Sequence, residues 1–210
     1  MGMRSALLFV IALLFAAPAM AADLTVTIRS TSGQSVRDAV VTLQPTAAQA
    51  PAPIRFSWPY KVTQQNLQFD PFVLIVPQGS EVSFPNKDGV RHHVYSFSSA
   101  KPFELKLYGK DESRSVKFDK TGIVALGCNI HDGMVGFVIV VDTPYAMKSD
   151  ASGSVTLRGA PAGPATLRIW HPYMKAGNNQ IERRIVVPAG GMTEAVVVQL
   201  RPAPDHSRSY

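Results

Sequence analysis

The sequence contains little cysteine and little charge. Only one of its 210 residues is a cysteine, Cys128, and charged residues make up 17% of the chain. The 21 basic and 15 acidic residues give a formal net charge of +6, but the basic residues are scattered rather than clustered. This distribution argues against a nucleic-acid-binding protein. The mild excess of positive charge favours an acidic partner surface, or serves solubility alone.

Long helical repeats are also missing, as are long apolar runs beyond the N-terminus. Short runs of Val, Ile, Thr and Phe are instead punctuated by turn residues, among them 15 Gly and 16 Pro. This pattern is typical of β-strands, so we predict an all-β chain. The length and the 46% hydrophobic content allow one large domain or two small ones with a buried core.

The N-terminus has the features of an export signal. A positive residue, Arg4, precedes an apolar stretch and an A-x-A cleavage site at residues 19–21. We therefore predict a signal peptide over residues 1–21, a mature chain that begins at Ala22, and a location in the periplasm or outside the cell. No later segment is apolar enough to cross a bilayer, so we expect no membrane span after cleavage. The alternative is a retained anchor.

Export makes a lone cysteine unusual, because exported proteins generally use cysteines in pairs. A single thiol then suggests a metal ligand, a free reactive thiol or a bridge to another chain. The stretch "TGIVALGCNIHDGMVGFVIVV" predicts two strands that form a hairpin. Cys128, His131 and Met134 lie around its tight loop, where glycines allow sharp turns. Such a loop can direct a thiol, an imidazole and a thioether into one small volume.

This donor set favours copper. Thiolate, imidazole and thioether ligands suit a metal that cycles between Cu(I) and Cu(II), and they suit calcium or magnesium poorly. Zinc is the alternative, but C-x-x-H alone is weak evidence for it, and a structural zinc site needs four ligands in a chain that has no second cysteine. A Cys-His hydrolase is less favoured, because its base would come from another part of the fold.

A trigonal copper site needs a second imidazole, and the stretch "FPNKDGVRHHVYSFS" offers two. His92 and His93 begin a predicted strand, so they point to opposite faces and only one can face the copper. His171 is less suitable because it lies beyond the hairpin, and His206 because it lies in a polar tail.

The combined pattern resembles that of the cupredoxins, or blue copper proteins. The resemblance rests on three motifs in this order: Asn86-x-Asp88, His92-x-Val94 and Cys128-x-x-His131-x-x-Met134. The spacing of the cysteine loop is that of amicyanin, and residues 66–88 are similar to the opening strands of the same fold. The match covers about residues 65–142 and is closest to exported plastocyanin-like proteins often labelled methylamine utilization proteins.

The resemblance implies a Greek-key β-sandwich that holds one type 1 copper ion. The implied ligands are three equatorial residues and one axial residue: His92, Cys128, His131 and, as the axial ligand, Met134. Three neighbours would brace these ligands: Asn86, Asn129 and His93. His93 stands where the family has a bracing asparagine, and it is also the alternative ligand to His92.

The resemblance also implies a function, namely outer-sphere transfer of single electrons. Four protein ligands leave no open position for a substrate, so we expect no enzyme activity. The expected partner is a redox protein such as a c-type cytochrome or a quinoprotein dehydrogenase. Two other functions stay open: a periplasmic copper carrier or chaperone, and a structural or binding protein whose flanking β-sandwich is the active part.

The flanks of the copper segment together resemble another small sandwich, the transthyretin-like carboxypeptidase regulatory-like domain. "GQSVRDAVV" is similar to the start of that domain, and "SDASGSVTLRGAPAG" to a later part. We therefore predict an insertion, with residues 22–50 and 143–202 as the sandwich, 51–142 as the cupredoxin domain and 203–210 as a disordered tail. The Pro/Ala stretch "PTAAQAPAP" would be the linker into the insert. The alternative is three consecutive modules.

Overall fold

A computed structural model describes residues 21–47 and 53–203 of the chain. Those residues form strands, turns and one short 3-10 helix, Gly177–Asn179. The strands of the described ranges, in chain order, are β1 (Ala21–Ser30), β2 (Val40–Pro45), β3 (Thr63–Gln65), β4 (Gln68–Asp70), β5 (Val73–Pro77), β6 (Ser80–Pro85), β7 (His92–Ser96), β8 (Phe103–Tyr108), β9 (Ser113–Phe118), β10 (Gly122–Cys128), β11 (His131–Val141), β12 (Ala146–Lys148), β13 (Ser154–Pro161), β14 (Gly163–Trp170), β15 (Gln180–Val187) and β16 (Met192–Val198).

Three predictions lie largely outside the described residues. They concern the signal peptide apart from Ala21, the middle of the Pro/Ala linker, and the tail beyond Ala203, which includes His206. Within the described ranges, no helix has the length and apolarity needed to span a membrane.

Strands from both flanks of the chain share two sheets. One sheet has the order β13-β1-β16, and the other has the order β12-β2-β14-β15. Strand β1 alternates buried Leu24, Val26 and Ile28 with more exposed residues, as a strand does when only one of its faces covers a core. These side chains share one apolar core with Leu43 of β2 and Leu167 of β14, so the flanks form one β-sandwich.

Strands β3 to β11 form a second sandwich. Its larger sheet has the order β5-β11-β10-β7-β8, and its other strands pair as β3–β4 and β6–β9. Phe84 of β6 and Phe118 of β9 pack in one core with Val124 of β10 and Val138 of β11. The hairpin of β10 and β11 therefore lies inside the larger sheet, between β5 and β7.

A buried apolar seam joins the two sandwiches. Val73, Ile75 and Ile139 of the middle sandwich pack against Val40 and Trp170 of the flanking sandwich. Burial of this apolar area on both sides holds the two units together.

The predicted all-β sandwich class is confirmed by these elements. Strand β1 pairs with β13, and β2 pairs with β12 and β14, so strands from before and after the middle segment lie in the same sheets. The exact domain boundaries stay predictions, as does the resemblance of the flanks to a carboxypeptidase regulatory-like domain.

Candidate metal centre

The hairpin of β10 and β11 positions three of the predicted ligands. Cys128 ends β10 and pairs with His131, which begins β11. The next pair along the hairpin joins Gly127 to Val135, so three residues of β11, 132–134, lie opposite a single step of β10. On a regular strand, side chains three residues apart, such as His131 and Met134, point to opposite faces. The irregularity breaks this alternation near the loop, so both side chains can lie on the same side.

The neighbouring strand β7 brings in the buried imidazole. Val94 pairs with Cys128, and His92 lies two residues earlier on the same face of the strand. The His92 side chain is fully buried, and the Cys128 side chain is nearly so. His131 is only partly buried, so this imidazole lies on the solvent side of the cluster.

The donor atoms of these three residues form a compact triangle, within 4.8 Å of one another. Cys128 Sγ lies 3.7 Å from His92 Nδ1 and 3.5 Å from His131 Nδ1, and the two Nδ1 atoms are 3.1 Å apart. An ion about 2.0–2.1 Å from nitrogen and about 2.3 Å from sulfur, at angles between tetrahedral and trigonal, spans N–N edges of about 3.3–3.6 Å and S–N edges of about 3.5–3.8 Å. The S–N edges agree with these values, and the N–N edge is slightly shorter. The three side chains therefore fit a bound metal ion.

Met134 lies on β11, three residues after His131. Its side chain is buried and belongs to the same apolar core as Cys128. A thioether held in a core has few conformations available, which suits a weak ligand whose position the fold must impose.

The carboxylate of Asp88 hydrogen-bonds to the ring nitrogen of His92 that does not face Cys128. Asp88 Oδ2 lies 2.8 Å from His92 Nε2, and the Asp88 side chain is only 11% exposed. Because a carboxylate only accepts hydrogen bonds, Nε2 carries the hydrogen and Nδ1 keeps its lone pair toward Cys128. The backbone N–H groups of Asn66 and Leu67 also donate to Asp88, over 2.6 and 3.1 Å. Asp88 thereby ties the tip of the β3–β4 hairpin to His92.

Asn86 braces the loop that leads to His92. Its side-chain Nδ2 donates to the backbone oxygens of Val90 and Tyr108, and its Oδ1 accepts from the backbone N–H of Asp88. Asn86 is fully buried, so each of these bonds replaces contact with water. These bonds fix the loop between β6 and β7, which begins at Asn86.

His93 and Asn129 meet through the backbone. The N–H of Asn129 donates to the carbonyl oxygen of His93 over 3.0 Å, which joins the cysteine loop to β7. The His93 ring lies on the other face of β7, where Nε2 is 2.8 Å from Glu104 Oε1. His92 therefore faces the cluster and His93 does not, and His93 braces the loop with its backbone rather than with its imidazole.

The electrostatic surroundings of His92 favour a neutral ring. Burial lowers the pKa of His92 below its ordinary value, while the hydrogen bond and negative charge of Asp88 oppose that shift and the nearby His131 adds to it. A neutral imidazole is the form that binds metals.

His171 lies outside this cluster. It follows β14 in the flanking sandwich, where its ring is buried and in edge contact with Tyr173. Burial lowers the pKa of His171 below its ordinary value, against the opposing effects of Asp38 and Arg37.

Asp88 belongs to the Asn86-x-Asp88 motif, but the sequence alone does not indicate its contact with His92. The available signal was its position four residues before His92, within the short loop that precedes β7. A carboxylate at such a position can fold back onto the imidazole, which the motif alone does not show.

Comparisons with known proteins give partial likenesses. No protein-family model matches the chain, and no curated protein does. A copper-containing nitrite reductase from Thermus scotoductus SA-01 is 29% identical with a TM-score of 0.39, over 48% of this chain and 26% of that one. A purple cupredoxin from Nitrosopumilus maritimus is 22% identical with a TM-score of 0.35, over 39% of this chain and 98% of that one. An oxidised amicyanin variant is 21% identical with a TM-score of 0.37, over 50% of this chain and 99% of that one. At TM-scores this low, these likenesses establish neither family nor function.

Proposed function

We propose that this chain is a type 1 copper protein that carries single electrons. His92, Cys128 and His131 would hold one copper ion, with Met134 as a weak axial ligand. The observation that carries the proposal is the triangle of Cys128 Sγ and two Nδ1 atoms, with edges of 3.1–3.7 Å. Two imidazoles and one thiolate in this arrangement, with the thioether of Met134 as the proposed fourth donor, are the ligand set of blue copper sites.

Hydrogen bonds within the protein hold His92 and the loop before it in position. Asp88 holds His92 with Nδ1 turned toward the thiol, and Asn86 holds the loop between β6 and β7. Ligands fixed in this way change position little when the charge of the metal changes, and small rearrangement favours fast electron transfer. Zinc fits less well, because a thioether is a poor zinc ligand and the chain contains one cysteine.

Copper when bound supplies a centre that gains and loses one electron, and the chain supplies the route to it. His131 is the more exposed of the two imidazoles. Its neighbour Ile130 is 46% exposed and offers an apolar contact at the loop. We assign the electron exit to His131 and the contact surface to this loop. Four protein ligands would leave no position for a substrate, which favours a carrier over an enzyme.

The proposed place of action is the periplasm or the cell exterior, as the N-terminal sequence features indicate. The proposed partner is a redox protein such as a c-type cytochrome or a quinoprotein dehydrogenase.

A redox titration of the copper-loaded protein separates a carrier from a copper chaperone. An electron carrier should cycle reversibly by one electron while keeping one copper per chain, even with a chelating competitor present. A chaperone would release Cu(I) to the competitor on reduction. Loss of copper in the first cycle would contradict the proposal, and so would a protein that takes up no copper.

A further inference from the structure

A cavity of about 600 Å³ lies at the junction of the two sandwiches. Trp58, Val73 and Ile75 line it from the middle sandwich, and Met147 lines it from β12 of the flanking sandwich. None of the four candidate metal ligands lines it. Its size is typical of small-molecule sites, which commonly occur between domains.

Three lysines give the cavity a positive wall. Lys61, Lys87 and Lys148 line it, against one acidic residue, Asp70. Two of these lysines already have partners: Lys87 Nζ lies 2.9 Å from Asp111, and Lys148 Nζ lies 3.1 Å from Asp38 and donates to the backbone oxygen of Val73 over 3.3 Å. An ammonium group has three N–H donors, so even with these partners each lysine can donate to a further anion.

The apolar wall is fixed in position. One face of the Trp58 indole stacks on Phe56, with ring centroids 4.6 Å apart and planes within 6°. Its Nε1 donates to the backbone oxygen of Ile75 over 2.8 Å. A wall that is ordered beforehand costs little conformational entropy when a ligand binds.

We propose that this cavity binds a small anion with a flat apolar body, such as an aromatic carboxylate or sulfonate. The indole, Val73, Ile75 and Met147 would cover the apolar rings, and the lysines would bind the anionic group. The lining contains none of the four candidate copper ligands, so the proposed anion would not compete with copper for a ligand.

The test uses the fluorescent probe 8-anilinonaphthalene-1-sulfonate with the full-length protein under native conditions. We expect one probe per chain, with enhanced probe emission and quenched Trp emission. The uncharged analogue N-phenyl-1-naphthylamine should bind at least about tenfold more weakly if the lysines contribute to affinity. Equal affinity for the two probes would overturn the assignment of an anion site.

Two pairs of variants locate the site. Met147→Glu places a carboxylate in the lining and should weaken probe binding by at least about tenfold. Its control is Val186→Glu, which should leave probe binding unchanged because Val186 is 68% exposed and does not line the cavity. Lys61→Gln should weaken binding by about two- to fivefold, whereas Lys106→Gln on exposed β8 should not. All variants should keep a cooperative thermal transition. Probe binding that is absent, or unchanged in both Met147→Glu and Lys61→Gln, would overturn the proposal.

Discussion

Replacement of Asp88 by asparagine tests how His92 is prepared for a metal. The two oxygens of Asp88 accept from three N–H groups: Asn66 N at 2.6 Å, Leu67 N at 3.1 Å and His92 Nε2 at 2.8 Å. Asparagine has the same shape but only one oxygen, so its NH₂ group must face at least one of these donors. His92 can relieve the conflict by moving its hydrogen from Nε2 to Nδ1. That hydrogen would then occupy the atom that faces Cys128.

The expected loss follows from this change of tautomer. Partners that orient a metal-binding histidine typically contribute about 10- to 100-fold to metal affinity. This range corresponds to about 1.4–2.7 kcal/mol. If the NH₂ group faces Asn66 N–H instead, that exposed backbone donor can turn to water, and His92 keeps its tautomer but loses the carboxylate charge that strengthens its hydrogen bond. In either orientation His92 loses its charge-assisted hydrogen bond to a carboxylate that is only 11% exposed, so we expect copper affinity to fall.

Copper affinity is measured by competition with a chelating dye, and the stability of the metal-free protein by urea unfolding. Asp111→Asn is the matched control, because the Asp111 side chain is 63% exposed and forms an ion pair with Lys87. We expect the control to remain within about twofold of the wild type in affinity. An Asp88→Asn protein with unchanged affinity and unchanged stability would refute the role given to Asp88.

Four further outcomes are expected. Met134→Leu should keep the visible absorption and raise the reduction potential measured by potentiometry, because Cu(II) loses a donor that Cu(I) needs less; a lowered potential would count against axial ligation. His93→Ala should leave the visible spectrum unchanged, since only its backbone contacts the cysteine loop; a bleached site would mean that His93 is the ligand. Excision of residues 51–142 with a short Gly/Ser link should leave a cooperative thermal transition, because the flanks share sheets and a core; the absence of any transition would argue for separate modules. Burial lowers the pKa of His171 below 6.5, so the unfolded state binds more protons and the free energy of unfolding should fall as the pH drops below that value; His171→Asn should weaken this dependence, and an equally strong dependence in the variant would contradict it.

Much of the candidate site could be predicted from local sequence patterns. The alternation of a strand separates His92 from His93, and the glycine-punctuated hairpin brings Cys128 close to His131. These relations depend on residues a few positions apart, whose geometry the backbone alone determines. The family resemblance added the choice of His92, whose Nδ1 lies 3.7 Å from Cys128 Sγ.

The rest depends on contacts between segments that are far apart in the chain. Asp88 contacts Asn66 and Leu67, 22 and 21 residues away, only because the β3–β4 hairpin packs beside the loop that leads to β7. The cavity near Trp58 exists only because β12 lies against the middle sandwich. Hydrophobic periodicity indicates which face of a strand is buried but not which strand will cover it.

Titration of the purified mature protein with Cu(II), followed by visible absorption, tests the central claim most directly. We predict one equivalent of bound copper and an intense band from sulfur-to-copper charge transfer. The band should be lost in Cys128→Ser even where that variant still binds copper, because a hydroxyl cannot supply the thiolate donor. A Cys128→Ser protein as strongly coloured as the wild type would contradict the account. So would a wild-type protein that stays colourless with Cu(II) and binds one equivalent of zinc.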